Sequence, residues 1–271
     1  MVRNIQQITK AMKLVASVRL RRAQERILAA RPYADEIQEV LQALFASMPQ
    51  VSHPLLTPRE TKAIGVLVIS GDRGLCGTFN ANIIQAATQF LADKREEQIK
   101  LILLGRRAYE YFRKQPYQII ANFLYPAASP SFYELKPIIF TVRNAYEKDI
   151  IDEVWLIYTV FVNVLRYVPT VKKLLPLERP EGAVKQVEFI YEPSIELILD
   201  SLLPKYVEMQ IFRSILESLT SEQAARTMAM TNATDNAEDI LEQLTLSLNK
   251  ARQAVITKEI AEIATAAEAL K

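Results

Sequence analysis

The sequence predicts an α/β protein in which a compact domain of alternating strands and helices is inserted between two long helices that form a coiled coil. Three observations carry this. From Lys205 to Lys271 there is neither Gly nor Pro, and at 1.5 Å per residue such a run makes a helix of roughly 100 Å, far longer than a globular core needs. Within it Met230, Thr234, Ala237, Leu241, Leu244, Leu248, Ala251 and Val255 step alternately by four and three, the repeat that winds one helix around another. The partner this seam demands lies in residues 1–45. Between the two, from Lys62 onward, apolar runs alternate with helical segments, the pattern of a parallel sheet covered on both faces.

Residues 1–58 hold the N-terminal coiled-coil helix. Ile5, Ile8, Met12 and Val15 recur at helical spacing, and Ala16, Leu20, Ala23, Ile27 and Ala30 make a second stripe beside them. Two adjacent stripes suit a helix that rotates past its partner. Pro32 removes a hydrogen bond and is expected to kink or interrupt the helix, yet Ile37, Val40, Leu41 and Leu44 resume the period before Pro49, Pro54 and Pro58 end it.

Residues 59–192 make the α/β domain, of Rossmann-like type. Its predicted elements are a strand at Ile64–Ile69, a helix over Ala81–Ala92, a strand at Ile99–Leu104, a helix over Arg107–Lys114, a strand at Tyr117–Ala121, a helix near Ser131–Glu147 and a strand at Glu153–Tyr158. Val160–Leu177 reads as further strand and Gln186–Tyr191 as an edge beside it. In residues 193–271, Pro193 opens a short helix ending near Leu203, and Pro204 separates it from the long one. The small side chains of Ala224, Ala225, Ala229 and Ala233 let a partner helix approach closely. After Val255 the seam shifts by one residue to Ile256, Ile260, Ile263, Ala267 and Leu270, which alters the supercoil locally and is expected to mark where the helix leaves its partner.

Composition excludes several functions. No apolar run is long enough to span a membrane, and no secretory or transit signal opens the chain. The single Cys76 cannot form an internal disulfide, and one His with one Cys leaves no ordinary zinc constellation; a reducing, cytoplasm-like compartment is the natural reading. The net charge of +2 is unevenly spread. Between Met1 and Arg31 lie Arg3, Lys10, Lys13, Arg19, Arg21, Arg22, Arg26 and Arg31 against the single acid Glu25. This stretch lacks the interleaved aromatics of a nucleic-acid binder, and its charges surround the helix where a membrane-surface helix would cluster them. A solvated coil face and contact with an acidic protein partner both remain open.

Ser70-Gly71-Asp72-Arg73-Gly74-Leu75-Cys76-Gly77 is a glycine-rich loop between a strand and a helix, a place where phosphate can be cradled. Its spacing is not the dinucleotide fingerprint, no Lys-Ser/Thr pair follows, and the second strand ends in Gly105-Arg106-Arg107 where a ribose-binding acid would stand. A structural turn is the simpler reading, with an enzyme of doubly wound type as the alternative. Cys76 as a nucleophile would need a base, and the only histidine, His53, reads as a solvated loop residue. Arg226, Arg252 and Gln253 stand among small apolar residues, either as plain surface or as latches to surrounding subunits.

Four stretches resemble a known family: Gln7 to Ala16 (QITKAMKLVA), Gly71 to Gly77 (GDRGLCG), Ser221 to Met230 (SEQAARTMAM) with Ala233 to Ala237 (ATDNA), and Asn249 to Ile260 (NKARQAVITKEI). In this order, end to end, they are similar to the gamma subunit, or central rotor shaft, of F-type ATP synthases. The resemblance implies that the terminal helices form an antiparallel coiled coil inside a hexamer of alternating catalytic and non-catalytic subunits. It places the α/β domain below, with its foot on the membrane rotor ring and with an epsilon-type stalk subunit as a further partner. ATP is then made in the hexamer, and this chain couples ion flow to it by transmitting torque, without catalytic residues, cofactor or metal of its own. It is expected as a peripheral component on the cytoplasmic face of a bacterial inner or thylakoid membrane.

By matching position, Met12 and Lys13 face the acidic lever segments of the catalytic subunits, and Arg226, Gln253, Thr257 and Glu262 are polar catches. The family's first helix normally starts some turns upstream of Met1, so a shortened lower coil or a truncated sequence is expected. Photosynthetic relatives carry a cysteine-pair insert between the last strands; Leu177 to Glu188 has no cysteine, so thiol switching is not expected.

Overall fold

A computed structural model describes residues 1–47, 53–94, 98–125, 130–178 and 194–269. Its elements are α1 (Val2–Ser47), β1 (Ala63–Ile69), α2 (Phe79–Asp93), β2 (Gln98–Leu104), α3 (Arg106–Phe112), β3 (Gln118–Phe123), α4 (Phe132–Glu147), β4 (Glu153–Phe161), β5 (Tyr167–Leu175) and α5 (Ile195–Ala269). The expected edge strand at Gln186–Tyr191 lies outside the described residues.

The sheet runs β3-β2-β1-β4-β5, with the first four strands parallel and β5 antiparallel to β4. The unbroken apolar run of β1 follows from its central place, since all seven of its residues are buried. Ile64, Val66 and Val68 pack with Ile83, Ala87 and Leu91 of α2 and Phe112 of α3. On the opposite face Leu67 and Ile69 pack with Leu135, Ile138 and Val142 of α4 and with Leu203, Ile211 and Ile215 of α5. Ser131 caps α4 with a reciprocal box, its hydroxyl accepting from the Glu134 N–H while Glu134 accepts from the Ser131 N–H.

The two long helices lie antiparallel. Near one end of the coil the Thr9 and Thr234 hydroxyls are 3.0 Å apart, and at the other Ala34, Ile37, Leu41 and Leu44 of α1 share a core with Leu199, Leu203 and Val207 of α5. Of the two α1 stripes, the second faces the partner: Ala16, Leu20 and Ala23 are buried, whereas Ile5, Ile8 and Val15 are about half exposed.

Two further expectations are corrected. Pro204 does not separate two helices; it sits inside one α5 of 75 residues, about 110 Å long. An interior proline costs roughly 3 kcal/mol, and burial of Leu199, Leu203 and Val207 around it offsets that at about 1.5–3 kcal/mol per side chain. Pro32 likewise lies within an α1 of 46 residues. Along α5, Ala237 is the last buried seam residue, Leu241 is half-buried, and residues 242–263 are all exposed.

Candidate functional site

A doubly wound sheet offers its ligand crevice at the carboxyl ends of the strands, where the strand order reverses. Here that point lies between β1 and β4, and α5 occupies it. Ser218 Oγ donates to the carbonyl of Ile69 at the end of β1 (3.4 Å), and Ser221 Oγ to the carbonyl of Thr159 in β4 (3.2 Å). The loop that might have cradled phosphate is bound to the coil by its own chain.

The loop is built for that contact. Leu75 and Gly77 both have positive φ, 62° and 56°, which curls the chain after Gly74. Asn80 fixes the curl: Oδ1 accepts from the Gly71 N–H (2.9 Å), and Nδ2 donates to the Arg73 carbonyl (3.2 Å). Asp72 ties the loop to the neighbouring strand ends, accepting from the N–H groups of Arg106 (2.9 Å) and Tyr125 (3.2 Å). Gly105 carries φ +101°, and a Cβ there would lie 2.2 Å from the Ser70 carbonyl oxygen, so only glycine permits β2 to turn beneath the loop. Cys76 is buried against Phe79 and Ala225, and burial pushes its thiol pKa up.

From the coil side, Arg226 reaches into the curl. Its Nη2 donates to the Gly74 carbonyl (3.2 Å) and pairs with Glu222 Oε1 (2.8 Å), with less than a tenth of either side chain exposed. Burial raises the Glu222 pKa; the charge and hydrogen bond of Arg226 pull it down, while Asp72 raises and Arg19 lowers it further. Next to this pair, between α1, α5 and the loop, open two hollows of about 480 and 290 Å³. Arg19, Arg73, Gln223 and Arg226 line both, and Met12, Val15 and Arg107 border the larger one. Gln223 Oε1 is buried there without a hydrogen-bond partner among the described residues.

The expected interaction residues divide into two groups. Met12 and Arg226 border the same hollow, with the half-buried Lys13 following Met12 on α1. Gln253, Thr257 and Glu262 lie on the exposed stretch of α5, the nearest about 40 Å along the helix from Arg226. Thr257 Oγ1 donates to the Gln253 carbonyl (2.9 Å), and Glu262 lies 3.7 Å from Lys258. Arg226, expected on the surface as a catch, is turned inward because two acceptors of its own chain hold the guanidinium. His53 is also not a solvated loop residue. Its side chain is largely buried, with Nδ1 accepting from the Leu55 N–H (3.0 Å) and Nε2 3.4 Å from Asp200. Sequence reading missed Glu222, Gln223, Arg19 and Arg73; the signal available was that SEQAAR, like GDRGLCG, mixes small and charged residues where close approach and pairing coincide.

A profile of the family described as ATP synthase matches residues 1–270. The chain is 47% identical over 270 residues to the ATP synthase gamma chain of Desulfitobacterium hafniense, covering all of this chain and 95% of that one. It is 45% identical over 272 residues to the same protein of Pelotomaculum thermopropionicum, again covering all of this chain and 95% of that one. Among solved structures, a chain from the central stalk and c-ring of the Tetrahymena thermophila mitochondrial ATP synthase aligns with a TM-score of 0.63 at 24% identity, covering 84% of this chain and 99% of that one. A chain of the Euglena gracilis mitochondrial ATP synthase aligns with a TM-score of 0.58 at 16% identity, over 93% and 94%; these two likenesses speak for the fold. With a matching profile along its length and full-length relatives of that name, the chain belongs to the ATP synthase gamma-chain family.

Proposed function

We propose that this chain is the central rotating stalk of an F-type ATP synthase, coupling ion flow through the membrane rotor to ATP synthesis or hydrolysis in the catalytic hexamer by transmitting torque. The observation that carries this is the bare end of α5. From Glu242 to Ile263, over some 30 Å, every residue of the helix is exposed, and Leu244, Leu246, Leu248, Val255, Ile256, Ile260 and Ile263 lie along it. At about 100° per residue these side chains spread over more than half the circumference, which suits a sleeve of several subunits better than one partner helix. A helix this long with its apolar side chains in water is a partner surface.

The basic hollow beside Met12, with Lys13 next to it, takes the acidic levers of the catalytic subunits, and Gln253, Thr257 and Glu262 are the catches higher on the shaft. The outward stripe of Ile5, Ile8 and Val15 on α1 continues the same surface downward. The epsilon-type subunit and the membrane rotor ring are the partners at the head, and among the described residues no helix is long and apolar enough to cross a membrane. The full-length bacterial relatives favour the cytoplasmic face of a bacterial membrane, with the chain attached peripherally through the complex.

Truncation after Val255 tests this reading. The truncated chain keeps the melting temperature of the full one, because no buried residue is removed among those described, while the assembled enzyme loses proton-driven ATP synthesis. An unchanged synthesis rate would contradict the role.

A further inference from the structure

The rotor reading requires torque to cross from the α/β head to the coil, and among the described residues the 71–77 loop of the sheet grips the helix through buried, charged chemistry. We infer that Arg226, closed on the Gly74 carbonyl and held by Glu222, is the torsional clamp between head and shaft, with Glu222 as its positioning residue. This inference rests on the rotor reading and assigns to Arg226 a task inside the chain.

The geometry favours a stiff joint. Arg226 bridges two acceptors from different elements, a carboxylate one turn back on α5 and a carbonyl of the loop. A planar guanidinium fixes both directions at once, which a lysine ammonium does not. The loop behind Gly74 is anchored in turn to the start of α3, to Tyr125 just after β3 and to α2 through Asp72 and Asn80, so a twist of the head reaches the clamp through the ends of several elements. Ser218 and Ser221 bond the strand-end carbonyls on the same side of the helix, but as neutral single bonds they hold less than the charge-assisted pair. Clearance is also small: a Cβ on Gly71 would lie 3.0 Å from Glu222 Cδ and 3.1 Å from its Oε1.

Two variants test the clamp by different routes. Arg226→Lys keeps the charge and loses the fork; Gly71→Ala keeps both partners and crowds the Glu222 carboxylate together with Asn80 Oδ1 beside it. Two readouts are needed: amide hydrogen exchange across residues 71–77 in the isolated full-length chain, and protons pumped per ATP hydrolysed by the purified complex in sealed vesicles. Both variants should exchange faster in the loop, and in Gly71→Ala pumping per ATP should fall several-fold while hydrolysis stays within about twofold of wild type. Faster exchange with unchanged pumping per ATP would show that torque does not cross here, and unchanged exchange would show that there is no clamp. Hydrolysis and pumping falling together would assign Arg226 to contact with the ring, and would also overturn the inference. Failure of the rotor reading itself is distinguishable, since the truncation after Val255 would then leave synthesis intact whatever these variants do.

Discussion

Two stretches of one helix differ almost completely. From Ser214 to Arg226, α5 buries every residue, polar ones included, against the sheet ends, the 71–77 loop and α1; from Glu242 to Ile263 it buries none. The backbone is the same in both, because a run without Gly or Pro stays helical wherever it lies. The difference is in what surrounds it. In the buried stretch Ser218, Ser221 and Arg226 each donate to a carbonyl of another element, so the helix is fixed in position and in rotation about its axis. In the exposed stretch the side-chain bonds described, such as Thr245 to Leu241 and Thr257 to Gln253, are local to the helix. A shaft needs both, one end gripped by its own head and the other presented to the subunits it drives.

Matched substitutions should separate the two stretches. Leu216→Ala, in the buried stretch, should cost about 2–5 kcal/mol in denaturant unfolding, whereas Leu248→Ala, with its side chain two-thirds exposed, should stay within about 0.5 kcal/mol in the isolated chain. Equal losses would mean that the bare end is packed in solution in a way that breaks the contrast.

A smaller effect is expected from Glu222→Gln. Because burial raises the folded-state pKa of Glu222, the folded chain holds this proton to a higher pH than the unfolded chain. Its contribution to stability is therefore greatest below the ordinary glutamate value and falls as pH rises toward and through the raised one. The melting temperature of Glu222→Gln relative to wild type should climb with pH across that window. A flat or falling difference would mean that the carboxylate is not desolvated in the junction.

Much of the fold is legible in the sequence for physical reasons visible in particular residues. Ile64–Ile69 is apolar at nearly every position because both faces of a central parallel strand are covered, and the heptad steps from Met230 to Ala237 stand where α1 packs. Periodicity, however, reports the face of a helix and not its neighbour. It could not say that Ala16, Leu20 and Ala23 face inward while Ile5, Ile8 and Val15 face out, since both stripes are apolar and only the close approach of α5 selects the smaller side chains. Nor does the four-and-three spacing, which runs on to Val255, tell the buried seam residues up to Ala237 from the exposed ones after Leu241. Pro204 misled because its local cost is real, and the core around it is larger. At the junction the motifs were visible and their meeting was not: Gly74 and Arg226 are 152 positions apart, and no local rule links a loop carbonyl to a guanidinium so distant.

The central claim is that the exposed stretch of α5, residues 242–263, is covered by other subunits in the assembled enzyme. Amide hydrogen exchange measured on the isolated chain and on the same chain bound in the catalytic hexamer tests it directly. Residues 214–226 should exchange slowly in both states, and residues 242–263 should exchange fast in the isolated chain and slowly in the complex. Slow exchange of 242–263 in the isolated chain, or fast exchange that persists in the complex, would contradict it.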